Sequence, residues 1–283
     1  AVGASAILLE GPPEPERINK IFLEEKPTLF FAVPTLFAML LASDNLPTKD
    51  EHYVRLCISA GEPLPSDLLA RWQSTFGVDI LDGLGTTEML HIFVSNRPDE
   101  ITPGSTGRVV PGYQIRLIND NGEVCAPGEM GVLEVSGPSS ALMYWGQRQK
   151  TKDTFRGSWT RTGDNYSISE EGVMTYGGRN DDMLKVGGIY VSPFEVEAAL
   201  IKHEAVLEAA VVGKNDQDGL VKPKGFIVLN KNFAGSDKLA SELINFVKTN
   251  LAEYKYPRWI EFLDELPKTA TGKIQRFKLR TAS

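Results

Sequence analysis

The sequence predicts an α/β fold: parallel βα layers over residues 1–97, a small antiparallel β subdomain over 98–179, and a small α+β domain over 180–283. Three observations carry this. Strand-like and helix-like runs alternate through the first stretch, and short β runs punctuated by Gly and Pro fill the second. A capped helix followed by mixed strands and helices fills the third.

In order along the chain, the apolar run Ser5–Leu9 predicts a strand that ends at Gly11-Pro12-Pro13. Ile18, Ile21, Phe22 and Glu25 then follow at helical spacing. Thr28–Val33 is β-branched and aromatic, Pro34 opens a helix through Leu41, Val54–Ser59 is a strand, Pro65–Phe76 a helix and Val78–Leu81 a strand. Beyond Pro98, turn residues such as Gly104, Gly107, Pro111-Gly112 and Gly137-Pro138 separate short runs, among them Gln114–Ile118 and Val132–Val135. Asn121-Gly122 predicts a two-residue hairpin turn, since both central positions of that turn favour positive φ. Gly177-Gly178-Arg179-Asn180-Asp181-Asp182 interrupts the β texture. Ser192, Pro193 and Glu195 then form a capping-box signature. Strands near Val206–Val212 and Phe226–Leu229, a helix over Ser236–Ala252 and a strand at Trp259–Phe262 complete the last domain.

Composition narrows the function classes. A hydrophobic share of 42% and a charged share of 24% are those of an ordinary globular protein. A net charge of −7 argues against a broad nucleic-acid surface. Cys57 and Cys125 stand far apart, without a metal-ligand pattern or a disulfide framework, which fits a reducing cytoplasm. No run approaches the roughly 18 apolar residues of a membrane span, and AVGASAILLE has neither the charged start nor the apolar length of a signal peptide. With no initiator Met, the chain is expected to begin inside a larger protein. His52, His91 and His203 show no triad-like context.

Four polar, glycine-containing stretches lie at predicted strand ends or turns, where backbone can approach a ligand. They are Ser59–Glu62, Asp82–Glu88, Thr160–Asp164 and Lys268–Lys273. In the second, Gly83 and Gly85 would free main-chain N–H groups for an anion, Thr86 and Thr87 add hydroxyls, and Glu88 adds a carboxylate suited to magnesium. Asp164 could grip ribose hydroxyls, Arg179 a phosphate or ribose, and the Lys273 ammonium a transferring phosphoryl group. Each has a plainer alternative: a simple turn, a turn-closing Asp, a surface ion pair at Arg179 and a solvated Lys273. Asp181-Asp182 reads equally as hinge or plain linker, and His91 as a pocket residue or a core histidine at a helix start.

Taken in order, these stretches resemble the adenylate-forming superfamily of acyl-CoA synthetases, luciferases and peptide-synthetase adenylation domains. Gly85-Thr86-Thr87-Glu88 resembles its glycine-threonine-glutamate signature, Gly128-Glu129-Met130-Gly131 its GE-x-G motif, and Thr162-Gly163-Asp164 its TGD motif. Gly178-Arg179-Asn180-Asp181-Asp182 with Lys185-Val186-Gly187-Gly188 resembles the hinge and the following K-x-x-G, and Pro267-Lys268-Thr269 through Gly272-Lys273-Ile274-Gln275-Arg276 the terminal motif. Within the superfamily, Ser59–Pro65 and Asp82–Phe93 resemble benzoate- and hydroxybenzoate-CoA ligases.

The resemblance implies a truncated large N-terminal domain followed by a small, mobile C-terminal one, and ATP-dependent activation of an aromatic acid to an acyl-adenylate with transfer to CoA. ATP, Mg2+ and CoA are the implied cofactors, with neither nucleic acid nor membrane as partner and a homodimer as a compatible assembly. A carrier-protein thiol acceptor and a non-catalytic nucleotide-binding module are the alternatives. By resemblance, Gly61, Glu62, Pro63, Asp82 and Gly83 flank the adenine, Thr87 contacts phosphate, Glu88 holds the metal, Asp164 the ribose and Arg179 ribose or phosphate. Asp181 is the hinge; Gly83, Leu84 and His91 border the acid pocket; Lys185, Gly187 and Gly188 face the CoA tunnel; Lys273 bridges carboxylate and nucleotide. The family's phosphate-binding loop has no counterpart between Ala1 and Pro34, so these residues are expected to form the C-terminal half of an enzyme and to be inactive alone.

Overall fold

The computed structural model describes residues 3–179, 182–187, 189–269 and 274–281. Three parallel strands, β1 (Leu29–Ala32), β2 (Leu56–Ala60) and β3 (Ile80–Gly85), begin the first sheet, and β4 (Ile92–Ser95) and β5 (Arg108–Val109) close it antiparallel. Helices α1 (Pro15–Glu24), α2 (Pro34–Leu41) and α3 (Ser66–Phe76) cover one face. Ile18 and Phe22, one turn apart on α1, meet Phe37, Leu40, Trp72 and Phe76 around the buried strand residues Cys57 and Ile80. Pro15 and Pro34 stand where a missing N–H is harmless, and Gly77, left-handed at φ 75°, ends α3.

Several details differ from the sequence expectations. Residues 3–10 join no strand among the described residues and leave Leu8 89% exposed. Strand β3 does not stop at Leu81 but runs on through Gly85, because its glycines let β4 approach. A Cβ on Gly83 would lie 2.9 Å from the Ile92 side chain, and one on Gly85 would lie 2.7 Å from the His91 carbonyl oxygen. His91 starts no helix: a 3-10 turn at Thr87–Met89 ends on Leu90, left-handed at φ 70°, and β4 begins one residue after His91. The Asn119 carbonyl accepts from Gly122 N–H and only Gly122 takes positive φ (84°), so Asp120-Asn121 are the central pair and Gly122 the bulge.

The second sheet, in the order β10-β9-β7-β6, is antiparallel: β6 (Gln114–Ile118), β7 (Gly131–Ser136), β9 (Trp159–Ile168) and β10 (Met174–Arg179), with β8 (Phe155–Arg156) on β9. Leu117, Leu133, Val135 and Met174 pack with Met89, Phe93 and Val94, which joins this sheet to the first. Strand β10 continues through Gly177-Gly178, where an interruption is predicted, by shifting register between Tyr176 and Gly178. That shift pairs Arg179 with Asp164 across β9. Between the sheet's strands, α4 (Arg148–Thr154) is a short exposed helix.

The last unit opens on the hairpin β11 (Leu184–Val186) and β12 (Ile189–Val191). Helices α5 (Pro193–Ile201) and α6 (Asp237–Asn250) pack on one face of the sheet formed by β13 (Val206–Asn215), β14 (Val221–Leu229) and β15 (Trp259–Phe262). Ser192 caps α5 by accepting from Glu195 N–H at 3.3 Å, but the Glu195 carboxylate takes Lys255 Nζ at 2.6 Å in place of the reciprocal bond of a capping box. A seventh helix, α7 (Arg276–Thr281), was not foreseen; Leu279 seats it against Ala210, Val212 and Phe226 on the sheet's other face.

Candidate active site

A cleft of about 870 Å³ opens where β2 and β3 end, the crevice at which open α/β sheets bind ligands. Its first wall is the loop after β2, Gly61–Pro63, and the run Asp82–Glu88. Arg161–Asp164 and Arg179 of the second sheet face it, and α5, the start of α7 and Leu207–Ala209 of β13 close the third side. Gly61, Glu62, Pro63, Asp82, Gly83, Leu84, Thr87, Glu88, Asp164 and Arg179 therefore share one cavity. His91 is exposed outside that lining, with Nδ1 2.7 Å from the Ile92 carbonyl and Nε2 3.0 Å from the Tyr113 hydroxyl. Lys185, exposed on β11, and Gly187, exposed just after it, also lie outside that lining. Asp181, Gly188 and Lys273 fall outside the described residues.

Electrostatics differ sharply along the cleft. The Glu62 carboxylate accepts from the Thr35 hydroxyl at 3.0 Å and from Thr35 N–H at 3.4 Å, which places negative charge at the N-terminus of α2. Burial pushes the Glu88 carboxyl up, yet the Tyr144 hydroxyl, its own backbone N–H, the Thr86 hydroxyl and the Lys150 ammonium outweigh it and hold the group below the usual glutamate range. Tyr144 donates directly to Glu88 Oε1 and carries Lys150 Nζ 4.1 Å above its ring. Asp82 is the opposite case. Only 5% exposed, it is pushed by burial up to about 8 against hydrogen bonding from Leu64 N–H, the Thr106 hydroxyl and Gly83 N–H. Two buried polar atoms on neighbouring positions of β2 and β3, Ser59 Oγ and Asp82 Oδ1, have no partner among the described residues.

On the far wall, Arg179 reaches Asp164 Oδ1 at 3.3 Å; Asp164 is nearly enclosed while the guanidinium is half exposed. Gly163, at φ 78°, brings the backbone past the Arg179 guanidinium. Arg276 grips Glu197 through two bonds of 3.0 and 2.6 Å, and Glu197 also accepts from Val211 N–H at 2.7 Å. Burial opposes the Arg276 charge, but Glu197 overrides it and raises the pKa. Lys268 pairs with Glu208 at 2.6 Å, so the terminal motif is fastened on both sides of residues 270–273.

Tyr144, Lys150, Thr106 and Tyr166 also line the cleft and carry no signal in the sequence. Tyr144 meets Glu88 from 56 positions away and Thr106 meets Tyr166 from 60, so folding alone creates these pairs. Among the described residues no group of three His, Cys, Asp or Glu side chains could hold a metal ion. No helix among them is long and apolar enough to cross a membrane.

The chain is 56% identical over all its 283 residues to benzoate–CoA ligase of Thauera aromatica, covering 54% of that protein. To 4-hydroxybenzoate–CoA/benzoate–CoA ligase of Rhodopseudomonas palustris it is 48% identical, with 99% of this chain and 52% of the relative aligned. Among solved structures, a benzoate CoA ligase from Burkholderia xenovorans LB400 superposes with a TM-score of 0.94 at 53% identity, over 99% of this chain and 56% of the other. The chain thus spans about half the length of the curated relatives it matches. The family model of the AMP-binding enzymes matches residues 1–145 and that of their C-terminal domain matches 195–273, and the chain belongs to the AMP-binding enzyme family.

Proposed function

We propose that the natural protein carrying this sequence is a cytoplasmic, AMP-forming acid–thiol ligase that activates an aromatic acid of the benzoate type. A carboxylate oxygen attacks the α-phosphate of ATP, pyrophosphate leaves, and the thiol of CoA then displaces AMP from the acyl-adenylate. The observation that supports this most is the single cleft that gathers Gly61–Pro63, Asp82–Glu88, Asp164 and Arg179 in a chain similar along its whole length to benzoate–CoA ligases.

The residues suit those roles. Gly61–Pro63 and Asp82-Gly83 stand at the sheet end as an adenine seat. Asp164, oriented by Arg179, presents a carboxylate to the ribose hydroxyls, and Thr87 is exposed toward the phosphates. Glu88 fits a magnesium ion bound through one carboxylate plus nucleotide oxygens, since it is held ionised and aimed by Tyr144. Such an ion supplies charge neutralisation on the phosphates. Gly83 and Leu84 border the acid pocket, with His91 one residue beyond the Gly85–Ile92 pair. Lys273 bridges carboxylate and nucleotide in the first step, the small domain turns about Asp181, and Lys185, Gly187 and Gly188 then face CoA.

Incubation with ATP, CoA and a panel of benzoates tests the reading: at least one acid releases pyrophosphate. Absence of turnover with every aromatic acid overturns it.

A further inference from the structure

We propose that Lys150 is a phosphate-binding residue of the cleft: its ammonium, held over the Tyr144 ring, receives the β- and γ-phosphates of ATP and the pyrophosphate that leaves. This rests on the nucleotide and metal roles proposed above for the cleft and for Glu88.

Most cations that line the cleft are already committed to carboxylates. Arg276 holds Glu197 at 2.6 Å, Arg179 reaches Asp164 at 3.3 Å and Arg71 stands 3.9 Å from Asp67. Lys150 and Arg161 line the same cleft and have no ion-pair partner among the described residues. Of these two, Lys150 is the one joined to Glu88. Its Nζ stands 4.1 Å from the Tyr144 ring centroid, and the Tyr144 hydroxyl donates to Glu88 Oε1, so a single aromatic ring separates ammonium from carboxylate. A ring face attracts an ammonium without neutralising it, and the charge stays available to an anion entering the cleft.

Backbone bonds hold the three groups on one strap. Ala141 N–H donates to the Glu88 carbonyl at 2.7 Å and Ser139 Oγ to the Met89 carbonyl at 2.7 Å, which ties the segment after β7 to the 3-10 turn that carries Glu88. Tyr144 N–H donates to Thr151 Oγ1 at 3.1 Å, and Thr151 N–H to the Gln147 carbonyl at 2.9 Å, so the residue next to Lys150 on α4 is fixed to the segment that carries Tyr144. Phe155 packs on the Tyr144 ring, with centroids 5.5 Å apart. In nucleotide enzymes a metal-binding carboxylate stands at the β/γ end of the phosphate chain, so a cation one ring away from it meets the chain beyond the α-phosphate. When the carboxylate oxygen attacks, the bond from the α-phosphorus to the bridging oxygen breaks and its electron pair leaves on pyrophosphate. Lys150 stays protonated throughout and neutralises part of the charge that the leaving group gains.

Lys150→Met in the natural protein keeps an aliphatic stem over the Tyr144 ring and removes the charge, whereas Lys150→Arg keeps the charge. Calorimetry with magnesium and α,β-methylene-ATP, which cannot be cleaved at the reacting bond, reads binding without turnover. K150M is expected to weaken that analogue and inorganic pyrophosphate about tenfold each, the scale of one hydrogen bond to a charged group, with AMP changed less than about twofold. K150R is expected to stay within about threefold of wild type for all three ligands. In turnover, K150M is expected to raise KM for ATP about tenfold and to leave KM for CoA within about twofold. Equal loss of affinity for AMP and for the analogue assigns Lys150 to holding the strap and overturns the proposal, as does an unchanged affinity for the analogue. A higher KM for CoA with analogue binding unaffected assigns the ammonium to a CoA phosphate and overturns it as well. Inactivity with every aromatic acid, together with K150M weakening the analogue but not AMP, sinks the proposed reaction and leaves the phosphate-binding role of Lys150 standing.

Discussion

Asp82→Asn isolates the cleft carboxyl that burial displaces upward. Burial lifts the Asp82 carboxyl from 3.8 to about 8, whereas the unfolded chain releases the same proton near its ordinary value. Between those two values the folded chain holds a proton that the unfolded chain has lost, so wild-type stability falls as pH rises, at up to about 1.4 kcal/mol per pH unit. Over the roughly 4-unit gap the penalty approaches about 6 kcal/mol, a large part of the ~5–15 kcal/mol that stabilises a typical domain. Asn has nearly the same shape and no proton to lose, so its curve lacks this slope. Urea unfolding of the 283-residue chain and of D82N at pH 5, 6, 7 and 8 measures the difference. The variant gains on wild type steadily from pH 5 to 8 and shows a constant offset below pH 4. Two curves that stay parallel through the window refute the reasoning, because a constant offset is what a pH-independent packing change produces.

In Tyr144→Phe, the Glu88 carboxyl titrates at higher pH than in wild type, since a leading hydrogen bond to its ionised form is gone; carbon-13 NMR of labelled glutamate reads the shift. Glu197→Ala strands the Arg276 guanidinium and Val211 N–H, and lowers the stability of the last unit by about 3–5 kcal/mol in urea unfolding; Glu197→Met with Arg276→Met recovers most of it. Gly107→Ala forces a Cβ into Asn96 N and the Ser95 carbonyl at φ 88° and destabilises by more than about 1 kcal/mol. Lys273→Ala removes adenylation in the natural protein yet leaves thioester formation from supplied acyl-AMP largely intact; equal loss of both steps counts against its role.

Much of the fold was legible because local signals agreed with the packing. Pro34 followed by an apolar run makes α2, and Ser192-Pro193 starts α5, since the chemistry of a helix start is written in adjacent residues. Several misses depend on tertiary pairing that residue type alone does not show. Gly83 and Gly85 read as turn glycines, yet a ladder with β4 needs their missing Cβ atoms. Ser5–Leu9 reads as a strand, but no neighbouring strand accepts it. In the site, the ordered motifs marked Asp82, Glu88, Asp164 and Arg179 by residue type, while Tyr144, Thr106 and Tyr166 stayed invisible because any buried aromatic or threonine could occupy those positions. His91 lies outside the cleft lining, and the Tyr113 contact that holds its ring at the surface comes from 22 residues away.

Acid-dependent exchange of labelled pyrophosphate into ATP by the natural protein tests the central claim most directly, because it reports acyl-adenylate formation alone. Exchange with benzoate or a substituted benzoate, absent without acid and lost in Asp164→Ala, is the predicted result. Exchange that ignores the acid, or none with any aromatic acid, contradicts it.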